Sequence, residues 1–135
     1  MSSRYAPRSA TTRTGAAPLL RITTTTDSGT ARIVHLHGEA DLDQRPRLDS
    51  ALERALADHP PRLVVDLAGL RFCDSTVLNA LLRTRLAARA AGLLLVLAAP
   101  SSQTRRLLKI TGTDEVFTVR DSVHAALAAT AAHTG

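Results

Sequence analysis

Asp74, Ser75 and Thr76 are consecutive residues whose side chains could act together in chemistry. The two hydroxyls lie beside a carboxylate, and each of the three residues can cap a helix N-terminus, where the first backbone N–H groups lack partners. An apolar run at residues 63–65 precedes them and a helical pattern follows at once. Because a helix N-terminus is electropositive, a phosphate on Ser75 is predicted to be well placed there.

Catalytic and metal-binding alternatives have weaker support in the sequence. Hydrolysis would need a Ser or Cys beside a His with an orienting acid, and no His has a sequence reason to lie near Ser75. The motifs G-x-S-x-G, G-x-x-x-x-G-K-[ST] and G-x-G-x-x-G are absent. Asp66 and Asp74 could form a carboxylate pair or a Mg²⁺ site, but no third acid lies between them. The sequence therefore predicts no catalytic residues, no metal and no cofactor.

Two histidines share one face of a predicted strand. His35 and His37 stand two residues apart, a spacing that can chelate a metal, but no third ligand is suggested nearby. Ile33 shares their face, whereas Val34 and Leu36 share the other. An ordinary half-exposed strand face is the favoured interpretation.

The composition favours one globular domain and gives little support to nucleic-acid binding. The chain has 135 residues, of which 44% are apolar and only 2% aromatic, so there is no platform on which bases could stack. The net charge is +5, but three arginines lie in the first seventeen residues, which hold no acid. The remainder is nearly balanced, which does not indicate a field that steers the protein toward DNA.

The single cysteine, the length of the apolar runs and the N-terminal residues predict the redox behaviour and the cellular location of the protein. Cys73 is the only cysteine and is predicted to be a small buried side chain rather than a redox switch. The longest apolar run, residues 92–100, is too short to cross a bilayer. The N-terminus has no apolar region typical of a secretory signal. We expect a cytoplasmic protein without a membrane partner.

Residues 1–17 lack apolar periodicity and are predicted to be a disordered tail, with one domain at residues 18–135.

Within that domain the patterns predict a hairpin (strands 19–26 and 31–37), a helix at 45–57 and a buried strand at 63–66. A loop at 66–72 contains Gly69, and a central helix at 76–91 ends at Gly92. A strand at 93–98, a helix at 103–111 that buries Leu107, Leu108 and Ile110, a strand at 115–119 and a last helix follow. This order predicts an α/β fold, a mixed and mostly parallel sheet packed by about four helices.

Three segments together resemble a known family. Residues 66–78, D-L-A-G-L-R-F-C-D-S-T-V-L, resemble D-L-x-x-L-x-F-x-D-S-[ST]-G-L, the signature of STAS domains and in particular of anti-sigma-factor antagonists. Residues 38–41, G-E-A-D, resemble the family's G-E-L-D, and residues 106–117 resemble its R-L-x-x-x-x-G-L-x-x-x-F. The matches occur in the family's order and cover about residues 19–132. Val77 departs from the usual Gly, and Ala40 replaces the Leu of G-E-L-D.

The resemblance implies a phosphorylation switch. In these antagonists the Ser after the Asp is phosphorylated by a kinase that is also the anti-sigma factor, which makes Ser75 the implied acceptor and Thr76 the less favoured one. The implied partner is a GHKL-type anti-sigma factor serine kinase, and the chain is expected to be a monomer or a weak dimer. The predicted partner-binding residues are Asp41, Asp74, Ser75, Thr76, Val77, Asn79 and Arg83.

Two other functions stay open on the sequence. One is a STAS subunit of another assembly, such as a lipid-transport complex or a stress-signalling scaffold, with Ser75 only capping a helix. The other is a small-ligand or nucleotide binder, or an enzyme that uses Asp66 and Asp74. Val77 is expected to narrow partner choice or to slow phosphorylation, because it adds two methyl groups where a Gly would permit close approach.

Overall fold

The computed structural model describes residues 20–27, 31–40 and 42–129. The predicted tail at residues 1–17, the tip of the predicted hairpin, Asp41 and residues 130–135 lie outside the described residues. The elements are strands β1 (Leu20–Asp27), β2 (Ala31–Glu39), β3 (Arg62–Phe72), β4 (Leu94–Ala98) and β5 (Thr118–Arg120), and helices α1 (Arg45–Ala57), α2 (Ser75–Ala91), α3 (Ser102–Ile110) and α4 (Val123–Leu127). Two short 3-10 helices, Leu42–Gln44 and Thr113–Glu115, precede α1 and β5.

The strands form one five-stranded sheet in the order β1-β2-β3-β4-β5. β1 and β2 are antiparallel, and every later neighbour pair is parallel. Val65 of β3 lies between Val34 of β2 and Leu97 of β4, so β3 occupies the centre of the sheet. The predicted α/β class, the opening hairpin and the mostly parallel sheet are confirmed.

Helices cover the two faces of the sheet unequally. One face packs against α1, α2 and α3, whose buried side chains include Leu52, Leu81 and Leu108. The other face packs against α4 through a smaller cluster: Ile33, Val64, Val96, Ala98, Ala126 and Ala129. Strand alternation explains the division, since successive side chains of a strand point to opposite faces. Among the described residues, no helix combines the length and the apolar content that a membrane span requires.

The predicted loop at residues 66–72 is wrong, because β3 continues to Phe72. This half of β3 pairs with the second half of β2: Gly69 lies opposite His37 and Phe72 lies opposite Glu39, with two irregularities in register. Gly69 suggested a turn, but in the strand it leaves room for the side chain of His37. A Cβ at Gly69 would lie 2.2 Å from Nδ1 of His37, which is too close.

The last third of the chain departs from prediction in smaller ways. β5 is only three residues long, and Glu115 belongs to a 3-10 helix rather than to the strand. Leu108 is buried as expected, whereas Ile110 at the end of α3 is 74% exposed, so its predicted place in the core is wrong. α3 ends at Ile110 and Gly112 follows with a φ of +75°, a left-handed conformation that favours glycine.

Candidate functional site

The predicted site lies where the central strand passes into the central helix. β3 ends at Phe72, Cys73 and Asp74 form the connection, and Ser75 is the first residue of α2. Asp74 has an extended backbone and is the N-cap: its Oδ1 accepts from the backbone N of Thr76 at 2.9 Å and, less closely, of Val77 at 3.5 Å. Of the three residues that could cap this helix, Asp74 does so.

Ser75 is thereby left out of the capping arrangement. Its side chain is exposed and makes no hydrogen bond with the described part of the chain. The backbone N–H groups that would have bound a phosphate at the helix end already have the Asp74 carboxylate as partner. This corrects the expectation of an open anion site: a phosphate on Ser75 would stand beside a carboxylate and compete with it.

Val77 has an environment that its predicted role did not anticipate. Its side chain is fully buried in the main core cluster, together with Leu78. The extra methyl groups therefore fill the interior, and position 77 has no exposed surface that a partner could contact. Thr76 is half-buried, between the exposed Ser75 and the buried Val77.

Asn79 and Arg83 lie on the exposed side of α2. Arg83 Nη2 donates to Oδ1 of Asp49 at 2.8 Å, and Asp49 also pairs with Arg45 at 3.4 Å. The predicted surface of α2 is therefore joined to α1 by an ion-pair network. Asp41, the remaining predicted contact, lies outside the described residues.

Cys73 is buried as predicted, with 1% of its surface exposed. Burial, followed by the neighbouring Asp74 charge, raises the pKa of its thiol to about 11. A protonated, inaccessible thiol is a poor nucleophile, which favours the packing role over a redox switch.

Two residues near Ser75 were missed by the sequence reasoning. Phe72 is 47% exposed at the end of β3, an apolar side chain on the surface beside the site. Gln103, on α3, forms two hydrogen bonds with the backbone of Cys73, each 3.2 Å long. A prediction that extended the strand past Gly69 would have placed Phe72 at its end, beside the site. No local sequence signal predicts the contact between Gln103 and Cys73.

Asp66 lies away from the Ser75 site, within β3 and beside His35 of β2. Nδ1 of His35 donates to its Oδ2 at 2.7 Å, and Nε2 of His35 lies 3.0 Å from the hydroxyl of Thr25. The backbone N of Ala68 donates to the other Asp66 oxygen. These bonds connect β1, β2 and β3 on the α4 side of the sheet.

The alternative in which Asp66 and Asp74 form a carboxylate pair is wrong. Six strand positions separate Asp66 from Phe72, which at a strand's rise is about 20 Å. No group of three His, Cys, Asp or Glu side chains suited to a metal occurs among the residues that the structure describes.

The sheet order, the capped α2 and the exposed serine define a class of protein. The STAS domain model matches residues 21–126, and the chain belongs to the STAS domain family. It is 30% identical over 104 residues to the anti-sigma-F factor antagonist RsfB of Mycobacterium tuberculosis, across 77% of this chain and 84% of that protein.

Solved structures agree with this assignment. A crystal structure of an anti-sigma factor antagonist from Mycobacterium paratuberculosis superimposes with a TM-score of 0.72 at 30% identity, covering 84% of this chain and 96% of that one. The anti-sigma factor antagonist SpoIIAA in its unphosphorylated form gives a TM-score of 0.62 at 15% identity, over 78% and 92% of the two chains. At that identity the second likeness shows the fold alone.

Proposed function

We propose that this chain is an anti-sigma factor antagonist that binds an anti-sigma factor serine kinase of the GHKL type and so releases a sigma factor. Phosphorylation of Ser75 switches this binding off. The acting part is the domain at residues 18–135, it has no catalytic activity of its own, and it works in the cytoplasm, where sigma factors act. The similarity to RsfB supports the partner class.

The observation that carries the proposal is that Asp74 caps α2, whereas Ser75 is exposed and does not. If Ser75 were only a helix cap, its hydroxyl would accept from the first amides of α2, but Asp74 does this instead. Ser75 is exposed and has no structural task among the described residues. An accessible hydroxyl at the first position of a long, well-anchored helix is what a kinase needs.

The switch follows from charge. A phosphate adds about −1.5 to −2 charges, next to the Asp74 carboxylate. The helix dipole offsets this by only about 0.3–1 kcal/mol, and the amides nearest to it are already bound. Repulsion and bulk then weaken a complex that was complementary to the neutral hydroxyl. A penalty of about 3 kcal/mol would reduce affinity roughly a hundredfold, without any change in the fold.

The contact surface extends from Ser75 in two directions. Along α2 it includes the exposed Asn79 and Arg83, and toward the sheet it includes Phe72. Aromatic side chains in the centre of an interface often dominate its binding energy, so Phe72 is a suitable apolar anchor beside the switch. Asp41 and the half-buried Thr76 stay predicted contacts of the partner.

The proposal is tested by incubating the chain with its cognate kinase and ATP and mapping the phosphate by peptide mass spectrometry. One phosphate is expected, on Ser75. Ser75→Ala should bind the kinase constitutively and lose less than about 0.5 kcal/mol of stability, because Asp74 remains as the cap. Thr76→Ala is the matched control, since it removes the neighbouring hydroxyl and should leave phosphorylation intact.

Other outcomes lead to different conclusions. Phosphate on Thr76 alone would move the acceptor by one residue. If no kinase of the native cell modifies either residue, and Ser75→Asp retains every partner in a pull-down, the switch is wrong. The chain would then be a STAS subunit of another assembly, such as a lipid-transport complex or a stress-signalling scaffold.

A further inference from the structure

The connection between β3 and α2 is held by a side chain from a third element. Gln103 lies in the first turn of α3, which the hydroxyl of Ser101 caps by accepting from Thr104 N at 3.1 Å. Gln103 Oε1 accepts from the backbone N of Cys73, and its Nε2 donates to the backbone O of the same residue. One carboxamide therefore matches both backbone groups of Cys73.

Cys73 lies in the connection between β3 and α2, where strand and helix supply the fewest hydrogen bonds to the backbone. The ladder between β2 and β3 ends with the pair Glu39 and Phe72, and α2 begins only after the Asp74 cap. A backbone N–H and C=O buried at such a point need partners, because leaving them unpaired is costly. Gln103 provides both from one side chain, although the residue itself lies on the exposed side of α3.

We propose that Gln103 is a positioning residue for the Ser75 site. By holding Cys73 it fixes Asp74 as the cap and presents Ser75 in a single conformation to the anti-sigma factor kinase. This inference rests on the proposed function. A segment that is already ordered loses less freedom on binding, so the gain is in affinity for the partner. We call the two hydrogen bonds from Gln103 to Cys73 the clamp. Without the clamp, only a fraction of the molecules would present Ser75 in that conformation, and the apparent affinity for the partner falls by that fraction.

Cys73 itself supplies a local measurement of the clamp. It is the only cysteine of the chain, and its side chain is 1% exposed. A thiol reagent such as 5,5′-dithiobis(2-nitrobenzoic acid) can react only when this segment opens, so the rate of labelling under native conditions reports the opening. This measurement needs no partner protein.

The experiment compares the full-length chain with Gln103→Leu, which keeps the size of the side chain but removes both hydrogen bonds. We expect Cys73 to label about tenfold faster, which corresponds to about 1.4 kcal/mol, the net contribution of an ordinary hydrogen bond. Gln103→Glu keeps the acceptor for the Cys73 N–H but has no donor for its C=O, so its rate should also rise. Ser102→Ala, an exposed neighbour in the same turn, is the control and should label like the wild type.

Local opening must be separated from general destabilisation. We therefore measure labelling over a range of low urea concentrations. Opening of the segment exposes little surface, so its rate should depend weakly on urea, whereas labelling through global unfolding depends steeply on it. A steep dependence in Gln103→Leu would show that the residue serves overall stability, and it would overturn the positioning role.

The second readout is the interaction with the kinase. In Gln103→Leu the KM for phosphorylation of Ser75 should rise while kcat changes little, and the rise is set by the fraction of molecules that no longer present the serine correctly. Unchanged labelling, or faster labelling with unchanged KM and partner affinity, overturns the inference. A wild-type chain that no kinase modifies contradicts the proposed function instead, and the labelling rates still decide whether the clamp exists.

Discussion

Replacing Asp74 is the most direct test of how the site is built, because the residue has two separable roles at the start of α2. Asp74→Ala removes the acceptor oxygen that receives the amides of Thr76 and Val77. Asp74→Asn keeps an oxygen in the same position and removes only the negative charge. The two variants therefore separate hydrogen bonding from the interaction of a charge with the helix dipole.

The expected losses of stability follow from the observed geometry. Loss of an N-cap costs about 1 kcal/mol, and we take this middle value because only the 2.9 Å bond to Thr76 has a normal length. Loss of the charge costs a further 0.3–1 kcal/mol or so. Asp74→Ala should therefore lose about 1.3–2 kcal/mol, and Asp74→Asn about 0.3–1 kcal/mol. At about 4 °C per kcal/mol, the melting temperatures should fall by about 5–8 °C and about 1–4 °C respectively.

The assay is thermal and urea unfolding followed by circular dichroism, with Glu53→Ala as a control. Glu53 is an exposed carboxylate in the interior of α1, and its replacement should be nearly neutral. If Asp74→Ala is as stable as the wild type, a neighbouring hydroxyl must take over the cap. The argument that Ser75 is free for phosphorylation would then be refuted, and the double variant with Ser75→Ala would show the missing stability.

Three further perturbations test the rest of the structure. Val65→Asp places an unpaired charge at the centre of the sheet, so that variant should fail to fold, and a normal melting curve would contradict the strand order. Deletion of residues 1–17 should change the melting temperature by less than about 5 °C if the tail is independent of the domain, and a larger drop would show that it packs there. Burial raises the pKa of Cys73 to about 11, so the folded state keeps a proton that the unfolded state has released above its ordinary value of 9.0. The contribution of Cys73 to stability should therefore be constant below pH 9 and fall by about 1.4 kcal/mol per pH unit between pH 9 and 11, and Cys73→Ala should abolish that part of the dependence.

Much of this structure was predictable because hydrophobic periodicity and capping residues are local signals. The helix at Arg45–Ala57, the end of α2 at Gly92 and the burial of Cys73 are all confirmed. The length of β3 was not predictable in this way. Whether residues 66–72 form a strand depends on whether β2 is long enough to pair with them, and that is a tertiary fact.

Some features of the site were predictable from local sequence signals, and others depend on tertiary structure. The position of Asp74, Ser75 and Thr76 at the start of a helix follows from the sequence, but three adjacent residues with similar capping ability cannot be told apart without the backbone geometry. The contact between Gln103 and Cys73 joins residues thirty positions apart, and it depends on how α3 lies beside the end of β3. The burial of Val77, by contrast, follows from the sequence, because Val77, Leu78 and Leu81 are spaced to share one apolar face of a helix.

The close approach of β2 and β3 at Gly69 has a consequence for how this sequence can vary over evolutionary time. Position 69 is small because the imidazole of His37 fills the space that a Cβ would need. The two positions therefore share a fixed volume, and a change at one alters what the other tolerates. Relatives that carry a larger residue at the equivalent of Gly69 should carry a smaller one opposite it, so the pair should covary as a reciprocal exchange of size across the two strands.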